Sequence, residues 1–339
     1  GDKLAQKILN IRDKISNPEE LITYLDEIKD LEREITLFHS RAVKETFEVS
    51  KTPIDLIGFH GQTIFHDPEK KITKQLGDGK LLSQLTKKKV VYNFRQNDLD
   101  NGGQGAPLTP IFHNVLANKI NKKFNLDFPI NILNIGGIAN ITTTVNEEDL
   151  WRTDKIHAHD IGPGNCLIDE WIRKNSKKKY DREGLIARNG KTNKLILNQA
   201  LENFFENPNY GKSLDVKNFD ILFAKGLSLE DGAATITDLT AKLIANGMNH
   251  FHHNNQSKIY KWLVCGGGRK NRYLLELIKK NFNQISINPI DQYQTDGDFV
   301  ESQAFAFLSI RSLKGMPISF PTTTRCKKPI TGGTIVENF

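Results

Sequence analysis

Residues 157–171 read HAHDIGPGNCLIDEW, and the fold follows from how that stretch is parsed. It is a short polar strand end, then a Gly-Pro-Gly turn, then the start of an amphipathic helix. Asp160 stands just before the turn. The backbone amides of Gly162, Gly164 and Asn165 are expected to face one space, at a helix N-terminus whose dipole favours negative charge. A carboxylate beside an anion cradle suits a general base working next to a phosphate. A purely structural role, with Asp160 and Asn165 as turn and capping residues, explains the same letters. Both readings stay open on this stretch alone.

Two further glycine-rich turns follow apolar strands, NIGGIAN at 134–140 and CGGGRKN at 265–271. Glycine there lets the backbone approach a ligand closely. Three such turns, one beside an Asp, point to a nucleotide whose phosphates and adenosine rest on different turns. The sequence has no Walker lysine motif and no GxGxxG, which disfavours a P-loop enzyme and a nicotinamide dehydrogenase.

Around these turns strands and helices alternate. Residues 3–49 read as helical, with Asn17-Pro18-Glu19-Glu20 as a cap, and Leu21, Leu25, Ile28 and Leu31 keep helical spacing. A strand is expected at 54–59, running into the polar stretch GFHGQTIFHDP, then a helix at 79–88 and a strand at 90–94. After the break NGGQGAP (101–107) come a helix at 108–119 and strands at 130–135 and 140–145 joined by Gly136-Gly137 as a tight hairpin. Helices follow at 193–206 and 229–252, the second capped by Ser228. Then come a strand at 262–265, a helix at 271–281, a strand at 285–290 and a helix at 300–314, and the tail 315–339 reads as a surface wrap. The pattern is α/β, with function expected at the carboxyl ends of the strands, in a cleft between two domains.

The chain has 339 residues, a comfortable size for two domains, with 38% hydrophobic and 26% charged residues. No run approaches the ~18 apolar residues that span a bilayer, and the opening GDKLAQKILNIRDKI is charged throughout, unlike a signal peptide. Cys166, Cys265 and Cys326 are scattered without a CxxC pair, which fits a reducing cytoplasm. The net charge of +7 comes from dispersed lysines; the blocks Lys87–Lys89 and Lys177–Lys179 lack interleaved aromatics. That argues against nucleic acid, while an anionic substrate would benefit from the field.

A second constellation joins GFHGQTIFH (58–66) to FRQNDLDNGGQGAPLTP (94–110). His60, Gln62, Arg95, Asp98 and Gln104 offer dense donors and acceptors, suited to a hydroxyl-rich, acyl-bearing sugar. Individually, His60 reads equally as a core histidine, and Arg95 as the partner of Asp98 in an ion pair. His250, His252 and His253 sit at a helix end without zinc-ligand spacing, so a metal role is rejected. Glu301 opens ESQAFAFLSIRSL after a loop with Asp296 and Asp298, and from its residues alone it is a first-turn helix acid.

Taken together these motifs resemble the anhydro-N-acetylmuramic acid kinase family, of the sugar kinase/Hsp70/actin superfamily. The resemblance is carried by GFHGQTIFH, QLGDG (75–79), NFRQNDLDNGGQGAPLTPIFH (93–113), NILNIGGIANIT (131–142), HDIGPGNCLIDEW (159–171) and YDREG (180–184). KSLDVKNFD (212–220), DGAATIT (231–237), CGGGRKN and GDFVESQAFAFL (297–308) continue it in family order. It implies a two-lobed actin-like ATPase fold with a cleft between lobes. The expected division is a sugar-side lobe at 1–107, an ATP-side lobe at 108–297, and a helix and tail at 298–339 packing across both.

The resemblance further implies ATP and Mg²⁺, a cytoplasmic homodimer, and a role in peptidoglycan recycling. The implied reaction opens 1,6-anhydro-N-acetylmuramate with water and phosphorylates O6. By resemblance Asp160 is the base and Glu301 an acidic partner near the sugar. Gly136, Gly137 and Asn140 lie on the second phosphate loop, with Gly162, Gly164 and Asn165 beside it. Gly266, Gly267, Gly268 and Asn271 lie on the adenosine side. The metal ligands are not assigned. Two departures stand out: the family's opening GxMSGTSxDGID, with its first phosphate loop, has no counterpart here, and Asn93 replaces the usual Asp before Phe-Arg. A sugar-binding protein without turnover, or a kinase acting on a free hydroxyl of an amino sugar, are the other readings.

Overall fold

The computed structural model describes residues 2–146, 153–206, 214, 216, 219–252, 261–282 and 286–339. His253, the side chains of His250 and His252, and most of KSLDVKNFD lie outside the described residues. The chain forms two compact units, Gly1–Phe112 with Ser302–Phe339 (unit 1) and His113–Glu301 (unit 2).

Unit 1 opens with α1 (Asp2–Lys14), α2 (Pro18–Thr23) and α3 (Leu25–Val49). Asn17 begins α2 as a full capping box: its side chain accepts the Glu20 amide at 3.1 Å, and Glu20 accepts the Asn17 amide at 3.1 Å. Strand β1 (Leu56–Phe59) pairs in parallel with β4 (Lys89–Tyr92), and α4 (Gly79–Thr86) precedes β4. Ile11, Ile15, Ile28, Leu31 and Ile35 from the helices bury against Phe59, Leu82 and Val90. Each such side chain contributes about 1.5–3 kcal/mol by leaving water.

Two features of unit 1 depart from expectation. The polar stretch after β1, to which the sequence pattern assigns no element, opens a hairpin, β2 (Gln62–Asp67) against β3 (Ile72–Leu76). A register shift between Thr63 and Phe65 lets Ile64 and Phe65 both bury, which hides the period-two pattern that announces a strand. The tail does more than wrap a surface. Its β10 (Thr334–Val336) adds an antiparallel strand to β4, and Ile318, Phe320, Cys326 and Ile330 are buried.

Unit 2 is built on a five-stranded sheet of order β7-β6-β5-β8-β9: β5 (Ile130–Ile135), β6 (Ile138–Thr143), β7 (His157–Pro163), β8 (Lys261–Cys265) and β9 (Ser286–Pro289). β5, β8 and β9 are parallel, while β6 and β7 run antiparallel to their neighbours. Gly136 and Gly137 make the tight β5–β6 turn. Leu133, Ile135, Ala139, Ile141 and Val264 share one core with α7 (Cys166–Asn175), α10 (Leu229–His252) and α11 (Arg272–Asn281). Ser228 caps α10 through the Asp231 amide (3.1 Å), as its sequence predicts. The unit boundary falls inside α6 (Pro110–Phe124) and at the start of α12 (Val300–Leu313).

Candidate active site

Cross-strand register lines up Cys265 on β8, Asn134 on β5, Asn140 on β6 and Asp160 on β7 as a transverse row at one end of the unit 2 sheet. Side chains alternate along strands, so this row faces away from Ile135, Ala139, Ile141 and Ile161, which lie in the core. The β7 partner of Asn140 is set by a bulge: Ala139 pairs with Gly162 but Asn140 with Asp160, leaving Ile161 as the extra residue. Bulges of this kind re-aim a side chain beside a site. Asp160 is thereby kept out of the hydrophobic interior, and its Oδ2 accepts the Leu214 amide at 2.9 Å.

The row is unevenly satisfied. Cys265 Sγ donates to Asn134 Oδ1 at 3.6 Å. Asn140 Oδ1 is buried and has no hydrogen-bond partner among the described residues. Several other buried polar atoms share that condition, but Asn140 is the one that stands directly opposite Asp160. An orphaned buried acceptor costs about 1–3 kcal/mol, which a bound donor or an ordered water would remove.

The expectation of an open amide cradle in the 162–165 turn is corrected. Gly164 and Cys166 donate their amides to the Gly137 carbonyl (2.9 and 3.2 Å), and Asn165 donates to the Gly136 carbonyl at 2.8 Å. Gly162 is part of β7 and pairs with Ala139. These groups staple two turns together. Gly164 is required for that closeness, because a Cβ there would stand 2.3 Å from the Gly136 carbonyl oxygen. Gly136, Gly137 and Gly267 differ: among the described residues a Cβ on any of them would meet nothing nearer than 3.5 Å, and none has positive φ. Space rather than backbone strain is what these three glycines leave, as a close-lying ligand needs.

Asn271, read as a nucleotide contact, is the N-cap of α11, its Oδ1 accepting the Leu274 amide at 3.0 Å. Arg269, which the sequence reading passed over, lies between the glycine turn and the acidic loop. Its side chain is 3% exposed. Nε and Nη2 grip both Asp291 oxygens (2.7 and 3.0 Å), and Nη1 reaches Asp298 at 2.8 Å and the Gly266 carbonyl at 3.1 Å. The guanidinium holds the Asp298 carboxyl down at about 2, with Lys270 adding to the effect. Glu301 follows in the first turn of α12 and is exposed. Its charge reaches back to the row: burial first, then Glu301, pushes the Cys265 thiol up to about 12.

The unit 1 constellation is brought together in part. Arg95 Nε donates to His60 Nε2 at 3.0 Å, so His60 is neutral and its Nδ1–H donates to the Gly61 carbonyl (2.9 Å). Burial and then the Arg95 charge lower His60 to about 3. The ring packs on Phe305 at 4.3 Å between centroids. Arg95 Nη1 also donates to the Gly105 carbonyl at 2.7 Å. Asp98, 1% exposed, accepts the Gly105 amide (2.7 Å) and the hydroxyls of Ser319 (2.5 Å) and Thr324 (2.8 Å). It clamps the loop to the tail. Gln104 is tied by its backbone to Thr324 and His66, and Gln62 is exposed on β2.

A model of the family described as anhydro-N-acetylmuramic acid kinase matches residues 2–338. The chain belongs to this family. It is 50% identical to the anhydro-N-acetylmuramic acid kinase of Pelagibacter ubique (strain HTCC1062) over 99% of this chain and 88% of that protein. It is 38% identical to those of Rhodospirillum rubrum (91% and 78% covered) and Rhodopseudomonas palustris (91% and 82%). Anhydro-N-acetylmuramic acid kinases carry the sugar kinase/actin-like ATPase fold, and the mixed sheets seen here have that α/β character. The departure at Asn93 has a local setting: the residue sits at φ +53, in the left-handed region that asparagine tolerates. Among the described residues no helix is long and apolar enough to cross a membrane, and no group of three or more His, Cys, Asp or Glu is arranged to hold a metal ion.

Proposed function

We propose that this member of the anhydro-N-acetylmuramic acid kinase family uses ATP to convert 1,6-anhydro-N-acetylmuramate to N-acetylmuramate 6-phosphate. The observation that carries the reading is the Asn134–Asn140–Asp160 row, with an acceptor that has no partner among the described residues beside a carboxylate that the bulge turns out of the core. In the anhydro sugar O6 is bonded to the anomeric carbon and has no proton to lose. Asp160 therefore takes a proton from water. The water oxygen bonds to the anomeric carbon, the bond from that carbon to O6 breaks, and the O6 electron pair attacks the γ-phosphorus as ADP departs. A positioned base contributes about 10²–10⁴-fold, and alignment of the reactants supplies much of the rest.

The open faces of Gly136, Gly137 and Gly267 support nucleotide approach in unit 2. Mg²⁺ arriving with the triphosphate would supply charge neutralisation, and Asn140 Oδ1 is a hard oxygen suited to one of its waters. We assign sugar recognition to the unit 1 constellation, with Arg95, His60, Gln62 and Gln104 as readers and Asp98 as their scaffold. Glu301 is the acidic partner on the sugar. The same reading takes the protein as a cytoplasmic homodimer; its three cysteines, all free and buried, support a reducing compartment, and sedimentation checks the dimer.

Turnover in ¹⁸O-water tests the chemistry. Label is expected at the anomeric hydroxyl and not in the phosphate, and Asp160→Asn is expected to cut turnover by about 10²–10⁴-fold while ATP still binds. Label-free product, or phosphorylation of N-acetylglucosamine in preference to the anhydro sugar, would overturn the assignment.

A further inference from the structure

We propose that Arg269 is a positioning residue that fixes Glu301 by tying the acidic loop 291–298 to the glycine turn at Gly266. This rests on Glu301 acting in turnover, as assigned above. Arg269 is nearly fully buried, yet among the described residues its partners come from two short segments. One is its own turn, through the Gly266 carbonyl. The other is the loop entering α12: Asp291 holds it through both oxygens, Asp298 through a third bond, and Asp296 Oδ1 lies 3.7 Å from Nη2.

The loop is moulded to the guanidinium. Asp291 Oδ1 also accepts the Gly297 amide at 3.3 Å, and a Cβ on Gly297 would stand 2.2 Å from Arg269 Nε. Asp298 accepts from Lys270 as well, and its own amide donates to Asp296 at 2.9 Å. Glu301 lies three residues beyond Asp298, in the first helical turn. The loop thus reaches α12 with its last acid pinned, and the Glu301 charge acts on Cys265, the residue before the glycine turn. A lysine keeps the charge but has no planar fork, so it cannot hold Asp291 and Asp298 together.

Turnover is measured for Arg269→Lys and Asp298→Asn, each alone and combined with Glu301→Gln, with ATP affinity measured by calorimetry. Asp298 is half exposed, so its variant tests the idea even if Arg269→Lys folds poorly. Each single variant is expected to lower kcat by about tenfold or more, shrinking to about twofold or less in the Glu301→Gln background, with ATP affinity changed by less than about threefold. Equal losses in both backgrounds, or no loss at all, overturn the positioning role. Wild-type turnover by Glu301→Gln alone would instead sink the role given to Glu301, a separate result.

Discussion

The polar constellations of the two units are satisfied in opposite ways. In unit 1, His60, Arg95 and Asp98 spend their hydrogen bonds on one another's loops and on the tail. In unit 2, the row at the strand ends leaves Asn140 Oδ1 without a partner among the described residues and sets Asp160 beside it. A dense polar cluster therefore signals scaffolding as readily as recognition, whereas an incomplete one at a strand end marks where a ligand must finish the network. Net gains from satisfied bonds are small, but a missing partner is costly.

The contrast can be broken most directly at its two carboxylates. Asp160→Asn is expected to cut turnover by about 10²–10⁴-fold with a melting temperature within about 2 °C of the parent. Asp98→Ala is expected to do the reverse in kind, lowering unfolding free energy by about 3 kcal/mol in urea titration because three donors lose their acceptor. A stable Asp98→Ala protein with lost sugar affinity would make Asp98 a reader after all.

Acid should sharpen the comparison next. His60 in unit 1 and His113 in unit 2 are held neutral, at about 3 and about 4, chiefly by burial. The unfolded imidazoles take up protons below about 6.5. Stability present above that pH is thus lost as pH falls toward the folded values, by about 2 kcal/mol per histidine at pH 5. Unfolding curves at pH 7 and 5 check this, and a flat profile would mean neither ring is buried neutral. The smallest expected effect is at Gly137: Gly137→Ala should change stability by less than about 0.5 kcal/mol, since among the described residues its Cβ meets Val216 alone, at 3.5 Å, yet raise the KM for ATP severalfold.

Much of this was legible from residue order. The Asn17 box, the Gly136-Gly137 hairpin and the Ser228 cap are local signals, each complete within a few residues, and each is present. The β2–β3 hairpin was hidden by its bulge. Arg269 was hidden for another reason: its acidic partners lie 22 and 29 residues further along, so nothing beside it announces a buried guanidinium. Asn134 stands among apolar neighbours in its strand, and only the register of β5 on β6 shows it sharing a row with Asn140. The amide cradle failed since neighbouring carbonyls, invisible in the letters, had already taken the amides.

The extra residue at Ile161 makes β7 sensitive to its length as well as its chemistry. A ladder of the same length without the bulge would set Ile161 opposite Asn140 and turn residue 160 toward the oily side of the sheet. Conservative exchanges at Ile161 should be absorbed by repacking, while one codon inserted just after Asp160 would put the new residue opposite Asn140 and silence the protein with every named functional group still present.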